Sequence, residues 1–268
     1  MRSQPTPPVR LARRWALVVL ILVAAACATS PLGRRQLRLL PNDQIAGMGA
    51  TAFQEIKQET PQARDARTTR YVRCVADAIA AQASSHPDAP KQWEVVVFAE
   101  DEANAFALPG GKIGVYTGIV EVAKNQDQLA TVIGHEVAHV LAQHANERVS
   151  QQMVAGALMQ VAGQAMDPRL AAALGVGAQV GVLLPFSRSQ ESEADLVGLD
   201  LMASAGFDPR QSVAFWENME KAGGGRSPEF LSTHPSGATR MRDLNERIPH
   251  AMKLYEQAVA AGRRPKCG

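Results

Sequence analysis

The sequence predicts a predominantly helical α+β domain that contains one small β-sheet. Two amphipathic patterns, over 43–58 and 63–82, predict the first helices, and the β-branched run Glu94–Ala99 predicts the first strand. A longer pattern of apolar residues over 127–147 predicts a further helix. With 268 residues, of which 46% are hydrophobic, the chain can bury one core of ordinary size.

The first 26 residues predict a targeting segment that does not belong to the fold. A basic stretch precedes the apolar run Trp15–Val23, which is too short for a comfortable membrane span. Alanines 24–26 then lead to Cys27, and this arrangement resembles a bacterial lipoprotein signal in which Cys27 is lipidated. Ordinary secretory cleavage and an uncleaved anchor are the alternatives.

Removal of this segment changes the charge of the chain. Residues 1–26 contain four arginines and no acidic residue, so the rest carries 24 basic and 26 acidic side chains, a net charge of −2. The composition therefore gives no indication of nucleic-acid binding.

Four regions are predicted along the chain. They are a signal over 1–26, a tether to the membrane over 27–41, the main domain over 42–255, with a helical hairpin at about 151–186, and a C-terminal tail over 256–268. Cys74 and Cys267 are the other two cysteines, and without a Cys-x-x-Cys pair they argue against cysteine-bound zinc. In an oxidising compartment they can pair and tie the tail to the domain, while a buried free thiol is the alternative.

One further strand and a short helix are expected before the helix over 127–147. The segment 104–108 runs through Pro109 and two glycines into the strand Lys112–Tyr116. Proline and glycine favour a turn or an exposed edge strand over a central one. A short helix is expected over 118–124, and a later one is expected to begin near Ser187.

His135-Glu136-Val137-Ala138-His139 is the strongest functional motif in the chain. Residues four apart lie on one face of a helix, so His135 and His139 can offer two imidazole nitrogens to one tetrahedral zinc ion. Glu136 lies beside them and can take a proton from a water molecule instead of binding the metal. The same motif also occurs by chance on surface helices, so a metal site needs a further ligand.

The third ligand is expected further along the chain. A continuous helix turns His144 away from His135, so we exclude His144 as a ligand. Glu191 and Asp195 are four residues apart and share one face of the later helix. Glu191 can complete the metal site, and Asp195 can accept the free ring N–H of a ligating histidine. An exposed acidic first turn is the alternative interpretation.

These residues resemble the zinc metallopeptidases of the CAAX prenyl protease, HtpX and BepA type. The matching segments are, in order, Asn104-Ala105-Phe106 with Pro109-Gly110-Gly111, His135-Glu136-Val137-Ala138-His139, Ser187-Arg188 with Glu191 and Ala194-Asp195, and Thr233-His234-Pro235 followed by Arg240. The leader with Cys27 resembles the periplasmic lipoprotein (LoiP-like) branch. The resemblance implies a zincin-type domain in which the edge strand of the small sheet borders the active site.

The resemblance also implies the chemistry of the site. It implies one Zn²⁺ per chain, held by His135, His139 and Glu191, with Glu136 as the general base. It gives the ligand role to Glu191 and not to Glu193. We therefore expect Glu191→Ala to lose the metal and Glu193→Ala to keep it.

The roles of the remaining matching residues stay open at this level. His234 and Arg240 are the downstream candidates for stabilising the oxyanion. His234 can alternatively occupy the open zinc position and keep the enzyme latent, or simply end a loop. Asn104, Ala105 and Phe106 are expected to bind substrate, because an edge strand beside such a site pairs with an extended peptide. Phe106 can equally belong to the core.

The function expected from these residues is that of a zinc endopeptidase in the bacterial cell envelope. It would hydrolyse unfolded or misfolded periplasmic and outer-membrane proteins, anchored to the outer membrane through lipid on Cys27 and facing the periplasm. Outer-membrane assembly machinery is an expected partner, and nucleic acid is not. The alternatives are a chaperone-like assembly factor with latent or weak protease activity, and an enzyme that acts on another amide, such as a cell-wall peptide.

Overall fold

The computed structural model describes residues 27–165, 187–222, 229–234 and 237–268. The helices are α1 (Asn42–Glu59), α2 (Ala66–Ala83), α3 (Thr117–Val122), α4 (Gln126–Leu141), α5 (His144–Ala165), α6 (Arg188–Ala205), α7 (Gln211–Ala222), α8 (Glu229–Thr233) and α9 (Ala238–Ala260). The strands are β1 (Cys27–Thr29), β2 (Arg35–Leu37), β3 (Glu94–Phe98), β4 (Ala105–Leu108) and β5 (Lys112–Tyr116). The helical α+β class predicted from the sequence is confirmed.

Two predicted segments lie outside the described residues: the signal over 1–26 and residues 166–186, the second half of the predicted helical hairpin. The first half of that hairpin is the helix α5. No helix within the described residues combines the length and hydrophobicity of a membrane span.

A three-stranded sheet borders the centre of the domain, with strand order β3-β5-β4. β3 pairs with β5 in parallel and β4 pairs with β5 antiparallel, so β4 lies at the edge as the sequence predicts. Gly110 and Gly111, between β4 and β5, both adopt positive φ, at 83° and 78°, which glycine tolerates without strain. The chain therefore turns tightly from β4 into β5. The edge strand β4 lies next to α4.

α4 is the central helix of the domain. Every residue from Gln128 to Leu141 is buried, including both histidines of the motif. Its apolar residues pack into the core, and the polar residues of the motif are buried among them, so other elements surround the helix. The Asn125 side chain begins the helix by accepting a hydrogen bond from the backbone N–H of Gln128, at 2.9 Å.

α4 and α6 cross with their backbones in contact. A Cβ atom built on Gly198 would lie 2.7 Å from the backbone nitrogen of His135, and one built on Gly134 would lie 2.8 Å from the carbonyl oxygen of Gly198. The two glycines therefore permit an approach that no larger residue allows. Ser187 begins α6 through a capping box with Gln190, in which each residue bonds the backbone N–H of the other.

Two local predictions are wrong. The pattern over 127–147 is not one helix, because α4 ends at Leu141 and the backbone of Gln143 turns through φ 55° before α5 begins. The segment 27–41 is not a free tether, because β1 and β2 form an antiparallel hairpin. Gln36 Nε2 in this hairpin donates to the carbonyl oxygen of Ala142 at 2.5 Å, so the segment is attached to the domain.

The C-terminal residues return to the first part of the domain. α9 continues to Ala260, beyond the boundary predicted at residue 255. After it, Cys267 forms a disulfide with Cys74 of α2, with Cα atoms 5.5 Å apart. Gln126 binds the same segment, since its Nε2 donates to Pro265 at 2.9 Å and its Oε1 accepts from the Cys267 N–H at 2.9 Å.

Gly198→Ala should separate the two central helices. The new Cβ would meet backbone atoms, which cannot rotate away, so we expect the free energy of unfolding to fall by about 1–3 kcal/mol. Gly47→Ala on α1 is the matched control, because nothing lies within 4 Å of its Cβ position. Urea denaturation of both variants checks this, and equal stability of the two would contradict the close crossing.

Cys267→Ser should destabilise the domain by about 2–4 kcal/mol, because the bond closes a long loop in the unfolded chain. The separation of the two cysteines is 193 residues. Wild-type protein treated with a reductant should show the same loss in thermal unfolding, and the variant should no longer respond to the reductant. A titratable Cys74 thiol in untreated wild-type protein would disprove the bond.

Candidate metal centre

Four buried side chains from three parts of the chain meet beside α4. α4 supplies His135 and His139, α6 supplies Glu191, and His234 follows the short helix α8. One ligand atom from each of the four lies within 4.8 Å of the others. Their exposed fractions are between 1% and 4%. The structure thus brings together the three predicted ligands and adds His234 to them.

The distances between these atoms match a tetrahedral zinc site. His139 Nε2 lies 3.0 Å from His135 Nε2, and His234 Nδ1 lies 3.2 Å from His135 Nε2. Glu191 Oε1 lies 3.0 Å from His234 Nδ1 and 3.3 Å from His139 Nε2. Tetrahedral ligands at about 2.0–2.1 Å from zinc are about 3.3 Å apart. The donor set, three imidazoles and one carboxylate, is also one that zinc accepts.

Hydrogen bonds at the outer ring nitrogens direct both Nε2 atoms of the motif inwards. His135 Nδ1 lies 3.0 Å from Asp195 Oδ1, and because a carboxylate only accepts, the proton is on Nδ1. His139 Nδ1 is occupied by His144 Nδ1 at 2.8 Å. The Nε2 lone pairs then face each other at 3.0 Å, which requires a cation or a proton between them. Asp195 is therefore in the position that the sequence analysis expects.

The charges of the site also favour a cation. Burial disfavours protonation of His135, but hydrogen bonds to Asp195 and Glu191 outweigh it and raise its pKa to about 9. Burial alone would raise the pKa of Glu191, yet contacts with His135, His139 and His234 lower it far below its usual range. Glu191 Oε2 is paired with Arg240 Nη1 at 3.0 Å, while Oε1 lies among the histidine nitrogens. The cluster therefore stabilises positive charge, which a divalent metal would supply.

Glu136 lies next to the cluster and does not belong to it. Its Oε2 accepts a hydrogen bond from the backbone N–H of Ala107 on the edge strand at 3.1 Å. Its Oε1 accepts none from the described residues, and His234 Nε2 lies 3.5 Å away. Burial raises the pKa of the Glu136 carboxyl group. A carboxylate with one free oxygen and a raised pKa suits a group that takes up a proton.

Arg240 holds the acidic residues of the site and does not point towards a reacting group. Its Nε and Nη2 donate to the two oxygens of Asp195 at 2.6 and 2.7 Å, and its Nη1 lies 3.0 Å from Glu191 Oε2. The guanidinium group also stacks on Trp216, 4.3 Å from the ring centroid. These contacts favour a role of Arg240 in positioning Asp195 and Glu191, and its part in stabilising the oxyanion stays a prediction.

The predicted substrate-binding residues lie on or next to the edge strand, but one side chain does not face the site. Asn104 accepts a bond from Tyr116 N at 3.0 Å, and Phe106 stacks on Phe98 with centroids 6.2 Å apart. Phe106 thus packs, partly buried, against aromatic neighbours, which favours the core alternative. Ala105 and Ala107 lie on the opposite side of the strand, since successive residues alternate. Ala107 also lines a small cleft beside His139, which has room for about one water molecule.

Sequence reasoning missed two residues near the centre, His144 and Glu193. The break at Gln143 turns His144 back towards His139, and Glu193 Oε2 lies 3.2 Å from His144 Nε2. Neither residue is part of the four-residue cluster. The five-residue spacing of His139 and His144, combined with a helix break between them, would have indicated that the two imidazole rings can meet.

Comparisons with known proteins agree with this geometry. Over 189 residues the chain is 41% identical to the mitochondrial metalloendopeptidase OMA1 of Arabidopsis thaliana, a match that covers 70% of this chain and 38% of that protein. It is 30% identical to the mitochondrial metalloendopeptidase OMA1 of Homo sapiens over 260 residues, 90% of this chain and 50% of the relative. The beta-barrel assembly-enhancing protease of Escherichia coli is 28% identical over 222 residues, 79% of this chain and 45% of the relative.

The chain thus spans at most half the length of these three relatives. A family model, described as peptidase family M48, matches residues 66–248. This range is more than half of the chain and contains α4, α6 and His234. The chain therefore belongs to peptidase family M48.

Proposed function

We propose that this protein is a zinc-dependent metalloendopeptidase of the bacterial cell envelope that hydrolyses peptide bonds in unfolded or misfolded proteins. The observation that carries the proposal is the convergence of two histidines and Glu191 beside the free carboxylate oxygen of Glu136. The family and the relatives named as metalloendopeptidases support the reaction type. The chemistry of a proton acceptor beside a metal cluster supports it independently.

The proposed roles follow from the contacts. His135, His139 and Glu191 hold one zinc ion, and Asp195 fixes the His135 tautomer through its Nδ1–H. Zinc, when bound, acts as a Lewis acid that makes the scissile carbonyl more electrophilic. Glu136 takes a proton from the attacking water and then gives it to the leaving amine nitrogen. The Glu136 carboxyl group needs its raised pKa for the second of these transfers.

The edge strand gives the protein a means to hold an extended peptide. The backbone groups of Asn104 and Phe106 face β5. The backbone N–H and C=O groups of Ala105 and Ala107 therefore point to the open edge of the sheet. A substrate strand can add to these groups through backbone hydrogen bonds, with little dependence on its side chains. Such recognition requires an unfolded segment, which is why we propose unfolded or misfolded substrates.

We propose that the described conformation is latent. His234 Nδ1 lies among the ligand atoms, and its ring stacks on Phe230 with centroids 4.5 Å apart. The Ala107 N–H, which a substrate strand would use, is occupied by Glu136. A zinc ion held by His135, His139 and Glu191 would be closed to a substrate carbonyl while His234 stays in the cluster, and we therefore assign His234 the latency role in preference to oxyanion stabilisation.

The proposed location and partners rest on the leader and on one relative. The stretch that precedes Cys27 resembles a lipoprotein signal of the LoiP-like kind, which supports anchoring to the outer membrane on the periplasmic side. A similar protein of Escherichia coli is named a beta-barrel assembly-enhancing protease, which supports outer-membrane proteins as substrates and their assembly machinery as a partner. The mitochondrial OMA1 relatives support the peptidase activity and not this location. The latent site also favours, as a second candidate, a chaperone-like role with weak cleavage.

Purified protein should bind one zinc ion and cleave a reduced, carboxymethylated test protein in a chelator-sensitive reaction. Glu136→Gln should keep the zinc and lose about 10²–10⁴-fold in rate, because it cannot accept the proton. Glu191→Ala should lose the zinc. Metal analysis and a gel-based cleavage assay measure both. Wild-type protein without zinc would disprove the metal site, and zinc-loaded protein that never cleaves would favour the chaperone-like role.

His234→Ala should cleave the test protein several-fold faster than wild type, because the position beside the three ligands becomes free. Its zinc content should stay at one per chain. His250→Ala is the matched control, since His250 is a 52% exposed histidine on α9. A fall in rate with unchanged zinc would instead assign His234 to the stabilisation of the oxyanion.

A further inference from the structure

A chain of polar contacts leads away from the metal centre through His139. His139 Nδ1 lies 2.8 Å from His144 Nδ1, and His144 Nε2 lies 3.2 Å from Glu193 Oε2. His144 is completely buried and Glu193 is 4% exposed. These two residues are therefore not solvated surface groups that happen to lie close to the ligand.

The protons along this chain have one consistent arrangement. If His139 binds a metal through Nε2, its Nδ1 carries the proton and donates it to His144 Nδ1. His144 then carries its own proton on Nε2 and donates it to Glu193. An ionised Glu193 can only accept, so it fixes the direction of both bonds. The arrangement presents the Nε2 lone pair of His139 to the metal.

Glu193 is in turn held by the hairpin that the sequence analysis takes for a tether. Its Oε1 accepts hydrogen bonds from the Ser30 hydroxyl and from the backbone N–H of Leu32. Its Oε2 accepts from Arg34 Nε at 3.1 Å. Arg34 also forms a two-pronged ion pair with Glu147 of α5, at 2.6 and 2.7 Å. The hairpin thus reaches the metal ligand through two intermediate side chains.

We propose that His144 and Glu193 are positioning residues for the ligand His139, and that the hairpin over 27–37 completes this support by holding Glu193. The inference rests on the proposed zinc site. It gives His139 the same kind of support that Asp195 gives His135, with a histidine placed between the ligand and the carboxylate. It also makes the N-terminal hairpin part of the metal centre.

The test is the zinc affinity of the metal-free protein, measured by competition with a chromophoric chelator. His144→Ala should weaken zinc binding by about 10–100-fold, as loss of such outer partners typically does. His144→Asn should recover most of the affinity, because its amide oxygen can replace Nδ1 as the acceptor for His139. Thermal unfolding in excess chelator reports separately on the stability of each variant.

The hairpin is tested with a pair of arginine variants. Arg34→Gln removes the partner of Glu193, whereas Arg38→Gln removes an ion pair with Asp88 that has no contact with this chain of residues. We expect weaker zinc binding for Arg34→Gln than for Arg38→Gln. Glu193→Ala, which removes the acceptor for His144 Nε2, should behave like His144→Ala, and should still hold zinc when the metal is in excess.

The outcomes separate this inference from the proposed function. Wild-type protein that binds no zinc would overturn the metal site itself. Wild-type protein that binds zinc, with His144→Ala binding equally well, would overturn the positioning role alone. Equal losses for His144→Ala and His144→Asn would also overturn it, since packing and not hydrogen bonding would then explain the loss.

Discussion

The backbone contact between α4 and α6 at Gly134 and Gly198 is the constraint on which the metal centre depends. Neither helix carries a complete ligand set, and Glu191 is 52 residues beyond His139 in the chain. A zinc site tolerates ligand positions only within a few tenths of an ångström. The lengths of histidine and glutamate side chains are fixed, so the distance between the two helices decides whether their donor atoms meet. The absence of two Cβ atoms sets that distance.

The complete burial of α4 follows from this crossing and imposes a second constraint. A polar group without solvent must find a partner or lose its charge, because desolvation is costly. Each polar atom of the motif accordingly has a defined neighbour: Asp195 for His135, His144 for His139, and the Ala107 N–H for Glu136. Glu136 Oε1 accepts no hydrogen bond from the described residues, whereas Glu191 Oε2 pairs with Arg240 Nη1 at 3.0 Å and leaves Oε1 among the ligand atoms. Burial of the motif therefore requires hydrogen-bond partners in the residues around the site as well as the ligands within it.

The extent to which the sequence predicts this arrangement depends on the range of the interaction. His135, His139 and the pair Glu191 and Asp195 are visible from helix periodicity alone, because their spacing is a local property. The role of His144 is not, because it depends on a left-handed Gln143, whose conformation only the surrounding structure can fix. The hairpin is missed for a related reason. Its partners Glu193 and Glu147 lie 159 and 113 residues from Arg34, and no local pattern shows them. The sequence leaves Phe106 open between substrate binding and the core, because a strand has two faces and only packing decides which one meets the site.

The same constraints determine which part of the site can move. His135, His139 and Glu191 lie on helices whose backbones touch, so displacing any of them would separate α4 from α6 and expose the core. His234 lies instead at the end of α8, a helix of only five residues. Its contacts include the stack on Phe230, its backbone N–H bond to the Phe230 carbonyl oxygen at 2.8 Å, the bond from Arg240 Nη1 to its carbonyl oxygen at 3.3 Å, and the cluster itself. Withdrawal of this short element would free one position beside three ligands that stay in place. If His234 keeps the site latent, as we propose, the site can open without any loss of metal, because His234 belongs to neither of the two helices that carry the three ligands.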